Sequence, residues 1–153
     1  LKYENNPQLA RPMGHWMAQA WLATNPKPDA IILPIPMHSS KQQKRGFNQA
    51  ELLAESFCDY TRLPLELAGL ERSRETTAQF GLTAADRAQN LAGAFTLGKS
   101  FLKQRPTQSV LLLDDIYTTG ATVKSAIVTL RQHGIRVQGV IVLAKTLTTY
   151  PNR

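Results

Sequence analysis

Residues 110–122 read VLLLDDIYTTGAT. Four apolar residues, Val110 to Leu113, run without polar alternation, the pattern of a parallel strand buried on both faces. Asp114 and Asp115 follow, where such a strand would emerge from its sheet. A hydroxyl-rich turn, Thr118, Thr119, Gly120, Ala121 and Thr122, then leads into a helix on which Val123, Ala126, Ile127 and Leu130 recur at i, i+3, i+4 and i+7. Gly134 stands where a glycine would end that helix.

This order of parts suits a phosphorylated sugar. The free N–H groups and the dipole of a helix's first turn attract a phosphate. Gly120 lets the backbone approach closely, and the hydroxyls of Thr118, Thr119 and Thr122 add donors. Two carboxylates would repel that phosphate, so they must face another part of the ligand. Vicinal ribose hydroxyls, which donate hydrogen bonds, meet the need, and positive charge developing on a sugar carbon would be stabilised there too.

The rest of the chain fits an α/β domain. Its 153 residues suffice for one core, 42% of them are hydrophobic, and no apolar run approaches the roughly 18 residues of a membrane span. No signal peptide is visible, and a start at Leu1 rather than Met leads us to expect a fragment of a longer protein. Eighteen Lys and Arg against eleven Asp and Glu give +7, which suits a polyphosphate or a nucleic acid. The single cysteine, Cys58, excludes an internal disulfide framework and fits a reducing, cytoplasmic setting; its helical spacing predicts a buried core thiol. His15, His38 and His133 are isolated and indicate no zinc site.

Residues 1–23 read as an amphipathic helix, regular from about Pro12, with Leu9, Met13, Trp16, Met17, Ala20 and Trp21 on a face for core or interface packing. Ala30 to Leu33 form a second buried strand, ended by Pro34 and Pro36. A polar and basic loop over 37–46 carries His38, Lys41, Lys44 and Arg45, and a helix over 47–60 buries Ala50, Leu53, Ala54 and Phe57. Residues 65–67 predict a short strand, Thr83 with Asp86 a capping box before a helix over 84–91, and 136–143 a last strand. Alternating strands and helices predict a doubly wound, mostly parallel sheet flanked by helices. Both strand–loop–helix units then open at the same sheet edge, where ligands bind, and the basic loop faces the acidic one.

Residues 93–100, GAFTLGKS, match the Walker A string. A P-loop needs a buried strand before it and a long helix after it; here the preceding segment is polar and Pro106 follows closely, so we reject that reading.

The residue 110–122 stretch resembles the signature of type I phosphoribosyltransferases, which bind phosphoribosyl pyrophosphate (PRPP). Beyond it, Arg45-Gly46-Phe47-Asn48-Gln49, Arg72-Ser73-Arg74 with Thr76 and Gln79, Arg87 with Asn90, and Ala94-Phe95 make the chain similar to the ComF/GntX branch of that fold. The resemblance covers almost the whole chain and implies one phosphoribosyltransferase-like domain over 1–153. Members commonly carry an N-terminal zinc ribbon, which residues 1–153 do not contain. The resemblance further implies that Asp114 and Asp115 hold the ribose hydroxyls and that Thr118, Thr119, Gly120, Ala121 and Thr122 hold the 5-phosphate. Pyrophosphate would meet His38, Lys41, Lys44, Arg45, Arg72 and Arg74, with Mg²⁺ carried on the PRPP oxygens and keeping most of its waters.

Two functions stay open. One is transfer of phosphoribose from PRPP to a nitrogen acceptor with release of pyrophosphate. The other is a non-catalytic PRPP- or nucleotide-binding module of a DNA-uptake (competence) machinery, contacting single-stranded DNA or competence proteins. The scattered aromatics lack a stacking platform for such DNA. Neither the acceptor nor the oligomeric state, a dimer being one option, is legible.

Overall fold

The middle strand of the sheet is β4, Val110–Tyr117, flanked by β1, Ile31–Pro34, and β5, Val137–Lys145, both parallel to it. The computed structural model describes residues 6–37, 43, 46–73 and 93–146. Val110 to Leu113 are all buried, as a strand covered on both faces requires. Their side chains alternate between two cores. Val110 and Leu112 join Leu33 and the helix that follows β4; Leu111 and Leu113 join Ile32 and the helix that follows β1.

Those helices lie on opposite faces. Helix α2, Gln49–Thr61, follows β1 and buries Leu53, Ala54 and Phe57 against Leu111 and Leu113. Helix α4, Ala121–Gln132, follows β4 and buries Val123, Ala126 and Leu130 against Val110 and Leu112. The doubly wound parallel sheet expected from the sequence is therefore present. α4 ends in a Schellman motif, Gly134 (φ +75°) donating to Arg131 O at 3.0 Å and Ile135 to Leu130 O at 3.1 Å.

Helix α1, Ala10–Thr24, follows a 3-10 turn at Pro7–Leu9 and packs across α2. Its buried face differs from the predicted stripe. Ala10, Gly14, Met17 and Ala18 are buried, while Trp16 is 73% exposed and Leu9 and Ala20 are exposed. Close approach explains the rotation: a Cβ on Gly14 would sit 2.7 Å from Leu53 O, so small residues take the crossing and the larger ones move to its flank. Ser56 Oγ clasps the same crossing by donating to Arg11 O at 2.6 Å. Trp21 remains in the packing, its ring 5.7 Å from Phe57. Cys58 is a buried core thiol, as expected.

Three short elements were not anticipated. β2, Leu70–Arg72, and β3, Phe95–Leu97, pair antiparallel, and α3, Lys99–Lys103, follows directly. The segment matching Walker A is thus a ribbon strand and a one-turn helix, not a phosphate-wrapping loop. The predicted strand over 65–67 reduces to one bridge, Leu65 beside Ile32, because the chain touches the outer edge of β1 only from Pro64 to Glu66. The predicted capping box at Thr83 and Asp86, with its helix over 84–91, lies outside the described residues.

Candidate functional site

β1 and β4 are neighbours whose following helices go to opposite faces, so the crevice at their carboxyl ends is the topological switch point of the sheet, where ligands of open α/β folds bind. The two strands end unequally. The β1 ladder stops at the Pro34–Leu113 pair, with a last hydrogen bond from Ile35 N to Leu113 O at 2.9 Å. On the other side β5 accompanies β4 as far as Tyr117. Asp114 and Asp115 therefore do not follow the strand, as the sequence suggested; they belong to it, in the step left where β1 has gone. Prolines 34 and 36, which lack an N–H, help to end β1 there.

Each acid accepts a hydrogen bond from the next backbone N–H: Asp115 N donates to Asp114 Oδ1 at 2.9 Å and Ile116 N to Asp115 Oδ1 at 2.8 Å. Burial chiefly, and the adjacent negative charge of Asp115 next, raise the Asp114 carboxyl to about 7; Arg72 opposes that rise. Near neutrality Asp114 thus shifts between an acceptor-only carboxylate and a donor-bearing acid.

The turn after β4 forms a cup of about 50 Å³ lined by Thr118, Thr119, Gly120, Ala121, Thr122 and Asp114. Gly120 caps α4 with φ +78°, and a Cβ there would overlap the hydroxyl and ring of Tyr117. Only glycine meets both demands. Thr119 Oγ1 accepts from Ala121 N at 3.3 Å, and Lys124 N donates to Gly120 O at 2.8 Å, which together build the first turn of α4 beside the cup. Lys145 Nζ lies 5.6 Å from the Tyr117 ring centroid, a further cation behind this turn.

A second cleft of about 200 Å³ adjoins the cup through Asp114 and Thr122, which line both. Its other walls are Ile35, Pro36, Met37, Asn48, Gln49, Ala50, Arg72 and Asp115. Arg72 reaches it from β2, its guanidinium 5.5 Å above the Phe95 ring. Asn48 fixes the far wall: its side chain caps α2 by accepting from Ala50 N at 3.0 Å and donates to Ile35 O at 3.3 Å. Gln49, the first residue of α2, is only 4% exposed, and its Nε2 has no hydrogen-bond partner among the described residues.

The fold therefore gathers Asp114, Asp115, Thr118, Thr119, Gly120, Ala121, Thr122 and Arg72 at one sheet edge. His38, Lys41, Lys44, Arg45 and Arg74 lie outside the described residues. Tyr117 and Gln49 were missed as site residues. An aromatic side chain before the turn was the available signal for Tyr117; Gln49 appeared only within a motif. A larger groove, about 840 Å³, runs along α4 from Thr119 to His133, but its walls are mainly apolar and exclude both acids, so the candidate site is the smaller cleft.

No family model matches the chain. It is 39% identical over 108 residues to Competence protein F of Haemophilus influenzae, covering 71% of this chain and 46% of that protein. It is 29% identical over 154 residues to DNA utilization protein YhgH of Salmonella typhi, covering 96% and 65%. The chain thus spans about half to two thirds of the length of these relatives. Among solved structures, it is similar to the Bacillus subtilis glutamine PRPP amidotransferase complexed with ADP and GMP, with a TM-score of 0.54 and 19% identity, over 87% of this chain and 25% of that one. That likeness shows the fold, a type I phosphoribosyltransferase fold. With the sequence relatives, it makes this chain a phosphoribosyltransferase-like protein of the ComF family.

Proposed function

We propose that the switch-point cleft binds PRPP and that the protein transfers its phosphoribosyl group to a nitrogen acceptor, releasing pyrophosphate. The observation that carries this reading is that the cleft holding the acidic pair and the helix-capped cup adjoin, sharing Asp114 and Thr122 as walls. A cup of backbone amides and hydroxyls receives the 5-phosphate. Asp114 and Asp115 accept hydrogen bonds from the ribose hydroxyls, and Arg72 faces the pyrophosphate end.

In the reaction the bond between C1 and the pyrophosphate oxygen breaks, its electron pair leaving with pyrophosphate. The acceptor nitrogen supplies the pair for the new N–C1 bond from the opposite face and then loses its proton. Positive charge on the ring is stabilised by the two carboxylates, and negative charge on the leaving group by Arg72. Mg²⁺ is proposed to arrive on the PRPP oxygens and, when bound, to neutralise the leaving group. The adjacent carboxylates of Asp114 and Asp115 are hard oxygen donors of the kind that would meet Mg²⁺ directly or through its waters.

Calorimetric titration with PRPP and Mg²⁺ tests the site. The wild-type chain should bind, and Asp115→Asn should bind roughly 10- to 100-fold more weakly, the loss expected for a charged hydrogen bond. Equal affinity in the two would refute the assignment.

The names of the relatives favour a second reading, a PRPP- or nucleotide-binding module without catalysis that serves DNA uptake. Pyrophosphate release with a nitrogen acceptor supports the enzyme. PRPP binding without turnover, together with single-stranded DNA binding that falls steeply with salt, supports the module.

A further inference from the structure

We propose that Gln49 is a ligand-binding residue of the switch-point cleft, its side-chain amide donating a hydrogen bond to an acceptor oxygen of the bound sugar phosphate. The inference rests on the PRPP reading and deepens it. Gln49 opens α2, a 13-residue helix, and lines the same cleft as Asp114, Asp115 and Arg72. It is almost fully buried, and among the described residues its Nε2 has no partner. Buried amides in folded proteins are nearly always hydrogen-bonded, so an orphan inside a polar cleft points to a partner that comes from outside the chain.

Its neighbour already carries the structural duty. Asn48 is equally buried, yet both ends of its amide are used, one to cap α2 and one to tie the helix to Ile35 O. The join between β1 and α2 is thus complete without Gln49, and a leucine would fill the same space without an orphaned donor.

The chemistry of the cleft defines what Gln49 adds. Asp114 and Asp115 offer acceptors when ionised, so they bind hydroxyl protons but repel bare oxygens. A ribose hydroxyl that donates to a carboxylate still has a lone pair to accept with, and a pyrophosphate oxygen has only lone pairs. Both therefore need a donor on the opposite wall, and a neutral amide supplies one without titrating.

The test compares the wild-type chain with Gln49→Leu and Gln49→Glu. Each is titrated with Mg²⁺–PRPP, with ribose 5-phosphate and with inorganic pyrophosphate, and its melting temperature is measured without ligand. Gln49→Leu should bind PRPP roughly 10- to 100-fold more weakly, with a melting temperature equal to or above that of wild type. Gln49→Glu, which keeps the shape but loses the donor, should be at least as impaired. A loss confined to ribose 5-phosphate places the contacted oxygen on the ribose; a loss confined to pyrophosphate places it on the leaving group.

If wild type and Gln49→Leu bind PRPP equally, the assignment of Gln49 fails while the PRPP reading stands. If Gln49→Leu melts lower and Gln49→Glu recovers both stability and affinity, Gln49 is structural and the assignment is again overturned. If wild type binds none of the three ligands, the PRPP reading fails and takes this inference with it.

Discussion

Asp114→Asn should make the ligand-free protein more stable above neutral pH while weakening its hold on PRPP. The Asp114 carboxyl is raised from an ordinary 3.8 to about 7, first by burial and then by Asp115. Below 3.8 the group is protonated in both the folded and unfolded chain and has no effect. Between 3.8 and 7 the unfolded chain ionises while the folded one holds its proton, so stability falls as pH rises, and above 7 the loss is complete. A carboxyl raised that far costs the folded chain about 4 kcal/mol at most above pH 7, and less than about 1 kcal/mol at pH 4. Asparagine keeps the oxygen that accepts from Asp115 N but carries no charge. The gain in melting temperature over wild type should therefore be small at pH 4 and grow through pH 7, at roughly 2–4 °C per kcal/mol for a chain of this size. Thermal melts of both proteins from pH 4 to pH 8 measure it. A difference that does not change with pH would refute the reasoning, because the effect comes from the cost of a charged Asp114, set by burial first and by Asp115 next. PRPP titration should show the converse, wild-type binding strengthening between pH 6 and pH 8 as the carboxylate forms, with a flatter dependence in the variant.

Two further outcomes follow from the geometry. Gly120→Ala places a side chain at φ +78° and against Tyr117, so it should destabilise the chain by about 1–2 kcal/mol or more and abolish phosphate binding; denaturant melts and phosphate titration check both. The Cys58 thiol is pushed up to about 12 by burial and by Asp59, so a thiol reagent at pH 8 should modify it only as the chain unfolds; labelling as fast as in denaturant would contradict its place in the core.

Much of this arrangement was legible in the sequence because it depends on local patterns. A four-residue apolar run can be read as a strand buried twice, and Gly120, Gly134 and the repeat at Val123, Ala126 and Leu130 specify where α4 starts, faces and stops. What escaped reading depends on neighbours. Whether Asp114 lies beyond β4 or within it is decided by β5, which pairs on to Tyr117, and by β1, which does not. The face of α1 is decided by Gly14 against Leu53 and Ser56, and no hydrophobicity count favours glycine over Trp16. β2 and β3 are three residues each, too short for a period, and come from positions more than twenty residues apart. Arg72 enters the site only through that pairing. Gln49 looks like any polar residue at the start of a helix until its burial is known.

The cleft is also where this chain departs most from favourable local chemistry. Asp114 is a carboxyl kept from solvent beside another acid, Gly120 holds a left-handed backbone, and Gln49 is a buried amide whose nitrogen finds no partner among the described residues. Away from the cleft the fold is conventional: α4 is closed by backbone bonds, α2 by Asn48, and both faces of β4 by aliphatic side chains. Selection for stability alone would favour a neutral residue at Asp114, since asparagine keeps the bond from Asp115 N, and an apolar one at Gln49. Each departure is instead of the kind a sugar phosphate would relieve: hydroxyl protons for the acid, an anion for the glycine-built cup, an acceptor oxygen for the amide. One ligand can answer all three because β1 ends four residues before β4, leaving a step in the sheet onto which all three open. The length of β1, set where its prolines interrupt the ladder, is therefore as much a part of the site as the acids themselves.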